Sequence, residues 1–329
     1  MPLTVTVTGA SGFVGSHLCQ ALVEAGHHVR AMTRHPDAYA GAGTPVFGDV
    51  SDAASLGPAL EGADAAYYLV HSLDQEDFER ADAQAAKDFS TVAARAGVRR
   101  TIYLGGLGRE DQILSAHLRS RREVEHLLGA DGVPVTVLRA AIVVGHGGIS
   151  WEITRQLVDH LPAMVVPHWT TTRTQPIALV DAVAYLVGVL EPAAAEGRVF
   201  EIGGPEVLTY AQMMQRASQV IKHRPLPMLA VPLLTPRLSS HWLAFVTDVD
   251  TETARNLIDS MSNEVVVTDD AITTVVPRRL LGYEPSFDLT RGMDATRPYI
   301  ERRYARLARV KGRCSNSPTA TGAKADVSV

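Results

Sequence analysis

The sequence predicts an α/β fold, a doubly wound parallel sheet followed by a smaller C-terminal substrate or cap region. Short β-branched or apolar runs alternate with longer helical patterns through the first two hundred residues, a rhythm typical of βαβ units. After Gly203-Gly204-Pro205 this alternation weakens and proline becomes frequent. The change in rhythm places the start of the smaller region there.

The individual elements follow from local patterns and from glycines that end helices. Strands are predicted at Thr4 to Thr8, His28 to Thr33, Pro45 to Gly48, Ala65 to Val70, Thr101 to Leu104, Val135 to Arg139 and Arg198 to Ile202. Helices are predicted at Gly15 to Ala25, Ser51 to Leu60, Phe78 to Ala96, Arg119 to Leu128, Val180 to Leu190, Tyr210 to Lys222 and Thr251 to Met261. We expect residues 1–150 to form the first domain, with 176–204 returning to it, 205–310 to form the cap, and 311–329 to be a disordered tail.

Composition narrows the class of partner. A net charge of -5 over 329 residues argues against nucleic acid, so we expect a small-molecule substrate and a monomer or homodimer. Cys19 and Cys314 form no disulfide framework, and no signal peptide precedes the first strand, so the sequence predicts a cytoplasmic protein. The twelve histidines show no metal-ligand spacing, and we expect no metal.

The most apolar stretch runs from Met228 to Val246. Pro232, Pro236 and Arg237 interrupt it, whereas a spanning helix needs about 20 mostly apolar residues. We therefore expect no stable membrane insertion. The stretch is interpreted as a substrate-cleft or interface segment, with contact at a membrane surface as the alternative.

A glycine-rich turn lies between the first strand and the first helix, in Thr8-Gly9-Ala10-Ser11-Gly12-Phe13-Val14-Gly15. Gly9 permits the tight turn, Gly12 lets backbone amides approach a pyrophosphate, and Gly15 lets the helix pack against the strand. This strand-turn-helix context predicts a Rossmann dinucleotide-binding loop that contains Gly9, Ser11, Gly12, Phe13, Val14 and Gly15.

The second strand ends at Arg34, where a site that prefers NAD usually carries an acid. Arg34 can pair with a 2′-phosphate, which favours NADP(H) over NAD(H), or it is a solvated charge at a strand end. In Gly48-Asp49-Val50, Asp49 either accepts hydrogen bonds from the adenine edge or caps the helix that begins near Ser51. We include Asp49 and Val50 among the cofactor-binding candidates.

These motifs, together with Tyr67 to Ser72, Leu138 to Gly145 and Ile202 to Pro205, give the chain a family resemblance. From about residue 3 to residue 205 it resembles the extended and atypical short-chain dehydrogenase/reductases, within the NmrA-like or YbjT-like NAD(P)H-binding group. Typical members use a Tyr-x-x-x-Lys pair, in which the tyrosine exchanges a proton with the substrate oxygen. Here His117 occupies the tyrosine position and Arg121 the lysine position.

The resemblance makes His117 and Arg121 the catalytic candidates. An imidazole titrates near neutral pH and can protonate a developing alkoxide, and Arg121, one helical turn later, faces the same side. The serine of the family is missing, because Leu104-Gly105-Gly106-Leu107-Gly108 carries no hydroxyl. The alternative is that His117 is a capping or surface histidine in a redox-inert site.

Other residues are weaker candidates. His71 follows the fourth strand, at the sheet edge where ligands bind, and either lines the nicotinamide pocket or is structural. Asp181 is expected at a helix start. Four residues after the sixth strand lie where related folds build the substrate cleft, although about half of them are expected to be packing residues: Trp151, Trp169, Arg173 and Gln175.

Two functions follow. The first is an NADPH-dependent oxidoreductase acting on a small, largely apolar carbonyl, enone or quinone, since the cofactor carries the hydride chemistry. The second is a catalytically inactive NAD(P)-binding regulator or assembly factor, which the missing serine and tyrosine favour. A nucleotide-sugar epimerase ranks below both because its chemistry depends on the absent tyrosine.

Overall fold

The elements of the protein are taken from a computed structural model, which describes residues 1–72, 77–109, 111–230 and 251–287. Its strands are β1 (Thr4–Val7), β2 (His28–Thr33), β3 (Thr44–Phe47), β4 (Ala65–Tyr68), β5 (Arg100–Gly106), β6 (Val135–Ala140), β7 (Val143–Val144), β8 (Met164–Val166), β9 (Arg173–Thr174), β10 (Ile177–Ala178), β11 (Val199–Ile202), β12 (Leu208–Thr209) and β13 (Met228–Ala230). Its helices are α1 (Phe13–Glu24), α2 (Ala53–Leu60), α3 (Phe78–Arg95), α4 (Ala116–Leu128), α5 (Ile149–His160), α6 (Leu179–Gly188), α7 (Tyr210–Lys222), α8 (Thr251–Ser260) and α9 (Ile272–Val275).

Seven of these strands form one parallel sheet in the order β11-β6-β5-β4-β1-β2-β3. The chain runs outward from β1 through β2 to β3 and then returns to place β4 on the other side of β1. Ligands of open α/β sheets bind at the carboxyl ends of the strands where the order reverses in this way. The predicted doubly wound fold is confirmed, and the reversal point positions the site.

Apolar side chains project from both faces of the sheet, because helices cover each face. Tyr67 points to the face covered by α1 and α6, and its hydroxyl donates a 2.8 Å hydrogen bond to the Leu186 carbonyl. Tyr68, the next residue, points to the opposite face, where its ring meets Phe89 of α3 at 5.0 Å between centroids. The pleat of β4 therefore supplies one large aromatic to each of the two cores.

A third apolar cluster lies outside the sheet. It joins α5 to α7 and includes Trp151, whose ring stacks on Phe287 at 4.0 Å between centroids. Within it, β13 pairs with β8 in parallel. The segment between the sixth strand and residue 176 thus packs with residues that follow 205.

Most predicted boundaries lie within two residues of the observed ones, and α4 is the exception. It begins at Ala116 rather than at Arg119, because the hydroxyl of Ser115 accepts a 3.3 Å hydrogen bond from the amide of Leu118 and caps the earlier start. The capping residue decides where the first turn of the helix forms, and the spacing of the apolar residues does not reveal that residue. His117 therefore lies inside the helix.

The predicted tail 311–329 and Cys314 lie outside the described residues, as do residues 231–250 and 288–310 of the predicted cap, which include the apolar stretch beyond Ala230. In the part of the chain that the structure describes, no helix combines the length and the apolar character needed to cross a bilayer.

Candidate functional site

A cleft of about 550 Å³ opens at the carboxyl ends of the central strands. Its walls come from the glycine loop, from the ends of β4, β5 and β6, from α4, and from the start of α5. Eight of the residues predicted for the site line it together: Gly9, Gly12, Phe13, Val14, Gly15, His71, His117 and Arg121. The fold therefore brings the cofactor loop and the catalytic candidates into one space.

The glycine loop is held by its own backbone. Gly9 adopts φ +64°, a conformation that glycine takes without strain, and its carbonyl accepts a 2.8 Å hydrogen bond from the amide of Gly12. A Cβ placed on Gly12 would lie 2.9 Å from that same carbonyl oxygen. A side chain at position 12 would therefore force this turn apart.

The start of α1 fits a pyrophosphate group. No side chain caps this helix end, and its first turn contains no acidic residue, so its amides remain available to an anion. Phe13, Val14 and Gly15 all face the cleft, whereas Ser11 is exposed and does not line it. The residues present thus suit a dinucleotide.

Arg34, Asp49 and Val50 lie outside the lining of the cleft, after the ends of β2 and β3. Asp49 accepts hydrogen bonds from the amide of Ser51 (2.9 Å) and from its hydroxyl (2.7 Å). Burial raises the pKa of Asp49, but these two bonds and the charge of Arg34 outweigh burial and leave the pKa below its usual value. Asp49 is therefore a carboxylate close to Arg34.

Asp49 does not cap the following helix, so that interpretation is wrong. The N-terminal cap of α2 is Asp52, whose carboxylate accepts from the amide of Ala54 at 3.1 Å. The turn at Ser51 moves the helix start two residues beyond the predicted one.

His117 is half-buried in the first turn of α4 and faces the cleft. Burial, followed by the charge of Arg121, lowers the pKa of His117 to about 3. The imidazole is therefore neutral near pH 7, where it donates or accepts a hydrogen bond but carries no charge. The capping role is wrong, since Ser115 is the cap, and the pKa disfavours an imidazolium proton donor.

Arg121 lies one turn after His117 and lines the same cleft. Its aliphatic stem packs over Gly106, where an added Cβ would lie 3.4 Å from Cγ of Arg121 and 2.9 Å from Cδ2 of Leu118. Among the described residues, no carboxylate lies within 4.0 Å of its guanidinium. A side chain at Gly106 would therefore crowd the end of Leu118, and Arg121 brings a guanidinium to the cleft.

His71 follows β4 and keeps an exposed surface toward the cleft. Desolvation by the surrounding walls, followed by the positive charge of Arg121, lowers the pKa of His71 well below 6.5. Among the described residues that line it, the cleft therefore contains two neutral imidazoles and one cation, Arg121.

The four residues after the sixth strand do not line the cleft. Each instead makes a contact within the fold: Trp151 stacks on Phe287, Trp169 packs edge-on against Tyr210, Arg173 forms a bidentate ion pair with Glu264, and Gln175 donates to the Gly204 carbonyl. The two tryptophans therefore pack, whereas Arg173 and Gln175 make polar contacts.

Asp181 lies at the start of its helix, as expected, but it is not the cap. Ala178 is the cap of α6, and Asp181 lies fully buried in the first turn. Its carboxylate pairs with Arg278 at 2.7 Å and accepts the amide of Leu281 at 2.8 Å. It therefore fastens a later segment to α6.

The sequence reasoning missed the start of α5 and one residue of α8. Residues 147–150 line the cleft, as does Leu257. The cluster Gly145-His146-Gly147-Gly148 was the available signal, since Gly147 adopts φ +86° and permits the turn into the helix. Leu257 had no comparable signal.

Comparison with known proteins finds an NAD(P)H-binding family and a reductase among the relatives. The profile of the NAD(P)H-binding family matches residues 9–162. A reductase of (4-alkanoyl-5-oxo-2,5-dihydrofuran-3-yl)methyl phosphate from Streptomyces griseus is 30% identical over 229 residues, covering 66% of this chain and 73% of the relative. Subunit 9 of the NADH dehydrogenase 1 alpha subcomplex from Arabidopsis thaliana is 25% identical over 312 residues, covering 87% and 77%.

Among solved structures, the NADPH complex of the quinone oxidoreductase QOR2 from Escherichia coli superposes with a TM-score of 0.69. It is 19% identical, and the match covers 86% of this chain and 98% of that one. Identity at this level establishes a shared fold.

Proposed function

We propose a function from one premise: this chain belongs to the NAD(P)H-binding family of atypical short-chain dehydrogenase/reductases. The proposal is an NAD(P)H-dependent reductase that acts on a small, largely apolar carbonyl, enone or quinone. The observation that carries it is the cleft, in which the phosphate loop, Arg121 and a neutral His117 face one space.

The walls of the cleft support an apolar substrate. Its side chains include Phe13, Leu69, Leu104, Val143 and Leu257, and Arg121 is the charged residue in its lining. A pocket with apolar walls and few polar groups binds by burial and orients the ligand through those polar groups.

The residues of the cleft divide the chemistry in a simple way. When bound, NAD(P)H supplies the hydride that attacks the electrophilic carbon of the substrate. Arg121 stabilises the negative charge that the substrate oxygen then acquires, and the neutral imidazole of His117 orients a water molecule toward that oxygen. The oxygen takes its proton from this water, and the hydroxide left behind is neutralised by solvent.

The first experiment is a turnover screen in which NADPH oxidation is followed against a panel of quinones, enones and aldehydes. We expect His117→Ala to lower kcat by about a hundredfold because the water loses its orienting group, with NADPH affinity unchanged. His126→Ala is the matched control, since His126 lies exposed on the same helix and away from the cleft. Tight NADPH binding with no turnover across the panel would rule out the reductase.

The preference for NADP(H) rests on Arg34, which is exposed beyond the end of β2 and lies close to the carboxylate of Asp49. Because a guanidinium binds a phosphate with two charge-assisted hydrogen bonds, Arg34→Gln should weaken NADPH about tenfold. NADH lacks that phosphate and should bind both proteins alike in parallel calorimetric titrations. Equal losses for the two cofactors would remove this assignment.

A cofactor-binding regulator or assembly factor is the second candidate. Gly106 offers no hydroxyl, and a side chain there would crowd the end of Leu118. The Arabidopsis relative, moreover, carries the name of a subunit of a larger complex. A protein partner whose capture depends on NADP⁺ versus NADPH would favour this candidate, whereas measurable reduction with an unchanged partner set would remove it.

A further inference from the structure

A buried carboxylate lies behind both walls of the catalytic end of the cleft. Asp82 belongs to α3 and is 5% exposed, although α3 contributes nothing to the lining of the cleft. Its neighbours on the buried face of that helix are small or apolar: Ala85, Ala86 and Phe89. An acid at such a position is costly to bury, so its contacts need an explanation.

The two oxygens of Asp82 bind two different elements. Oδ1 accepts a 2.9 Å hydrogen bond from the amide of Ser72, and Oδ2 accepts a 3.3 Å hydrogen bond from the hydroxyl of Ser120. Ser72 directly follows His71, and Ser120 directly precedes Arg121. One carboxylate therefore fixes the residues adjacent to two side chains of the cleft.

The charge of Asp82 also has a counterpart. Burial leaves the pKa of Asp82 above its ordinary value, and the cation of Arg121 is the strongest influence that opposes this rise. Because no described carboxylate forms a direct ion pair with Arg121, Asp82 balances that cation through space while leaving the guanidinium free to face the cleft.

A purely structural role would not require this charge. An asparagine could accept from Ser72 through its oxygen and donate to Ser120 through its nitrogen, without the cost of burying an ion. What an asparagine cannot do is neutralise Arg121. The charge itself is therefore the feature to be explained.

We propose that Asp82 is a positioning residue, which acts through Ser72 and Ser120 to hold His71 and Arg121 in place and which balances the charge of Arg121. The proposal rests on the proposed function only for its effect on turnover. The geometry predicts an effect on Arg121 and His71 whether or not the protein is a reductase.

The test compares Asp82→Asn with Asp181→Asn in the full-length protein. Asp181 is the matched control, because it is likewise a buried carboxylate paired with an arginine but lies away from the cleft. The readouts are the NMR signals of the Arg121 Nε–H group and the His71 ring, the NADPH Kd, kcat, KM and Tm. The loss of the Arg121 signal in Arg121→Lys provides its assignment.

We expect Asp82→Asn to broaden or shift the Arg121 and His71 signals and to lower kcat about tenfold, with KM and NADPH affinity within twofold. Asp181→Asn should lower Tm and leave the signals and kcat alone. Asp82→Glu should restore part of kcat, since it returns the charge. Unchanged Arg121 and His71 signals in Asp82→Asn, with only a lower Tm, would overturn the proposal. If the wild type turns over no substrate, the proposed reductase function is refuted, but the NMR measurements still test the role of Asp82.

Discussion

The two ends of the cleft present different kinds of groups to a ligand. At the glycine loop these groups belong to the backbone, since Gly9 and Gly12 shape a turn that is followed by uncapped helix amides suited to an anion. At the other end side chains do the work, and His117 and Arg121 stand where the family has tyrosine and lysine. Backbone recognition tolerates almost no change, whereas a side-chain site can change its chemistry and keep its frame.

The difference explains why the cofactor end follows the family pattern and the catalytic end departs from it. An added methyl group at Gly12 would meet a carbonyl that cannot move without opening the turn. At Gly106 the added group would meet the side chains of Leu118 and Arg121, which belong to the altered site itself. The glycine at position 106 and the arginine at position 121 are therefore in direct contact.

The largest expected effect comes from disrupting the glycine loop. Gly12→Ala places a Cβ 2.9 Å from the Gly9 carbonyl, so we expect NADPH affinity to fall by about a hundredfold, or about 2.7 kcal/mol. Calorimetric titration measures it. Gly57→Ala is the control, because nothing lies within 4 Å of a Cβ there, and it should leave affinity unchanged. Wild-type affinity in Gly12→Ala would mean that the loop does not hold the cofactor.

The next largest effect comes from removing the charge of Arg121 at the other end of the cleft. Arg121→Gln should lower kcat/KM by about a hundredfold through the lost charge stabilisation. The pKa of His117 should rise above about 3 because a nearby cation is gone, as an NMR titration of the ring would show. Arg119→Gln, which removes an exposed arginine paired with Glu79, should change neither quantity. A fixed pKa of His117 would show that burial alone sets it.

A smaller effect tests the packing of α4 against Gly106. Gly106→Ser restores the family's hydroxyl but crowds Leu118, so we expect a loss of about 1–3 kcal/mol in the free energy of unfolding and no gain in turnover. Leu118→Val should recover part of this loss in the double variant, measured as a coupling energy by urea unfolding. Additive losses would show that the serine position is open.

The smallest effect is an absence of change. Because the pKa of His117 is lowered to about 3, the imidazole stays neutral above about pH 6. We therefore expect kcat/KM to show no change near pH 6.5 that can be assigned to His117, that is, no change that is lost in His117→Ala. Stability should respond instead at acid pH. The unfolded chain binds a proton at His117 below about pH 6.5 and the folded protein does not, so the free energy of unfolding should fall as the pH drops toward 3. A rate that falls with an apparent pKa near 6.5 would restore the imidazolium acid.

The sequence could predict the elements whose signals are local. Alternating apolar runs located the strands, and glycine spacing located the phosphate loop, because both depend on residues that are close in the chain. The start of α4 was misplaced since its cap, Ser115, lies before the apolar pattern. The same local signals could not separate Trp151 and Trp169, which pack, from residues that line the cleft.

The amino-acid sequence by itself predicted the βαβ order, a turn suited to an anion at Gly9 to Gly15, and His117 and Arg121 at the positions of the family's pair. The tertiary structure alone decided that His117 is neutral, that α4 packs against Gly106, and that the carboxylate of Asp82 contacts Ser72 and Ser120. Those outcomes depend on burial and on charges brought together from distant parts of the chain, and desolvation and Coulomb energies exist only once the chain has folded.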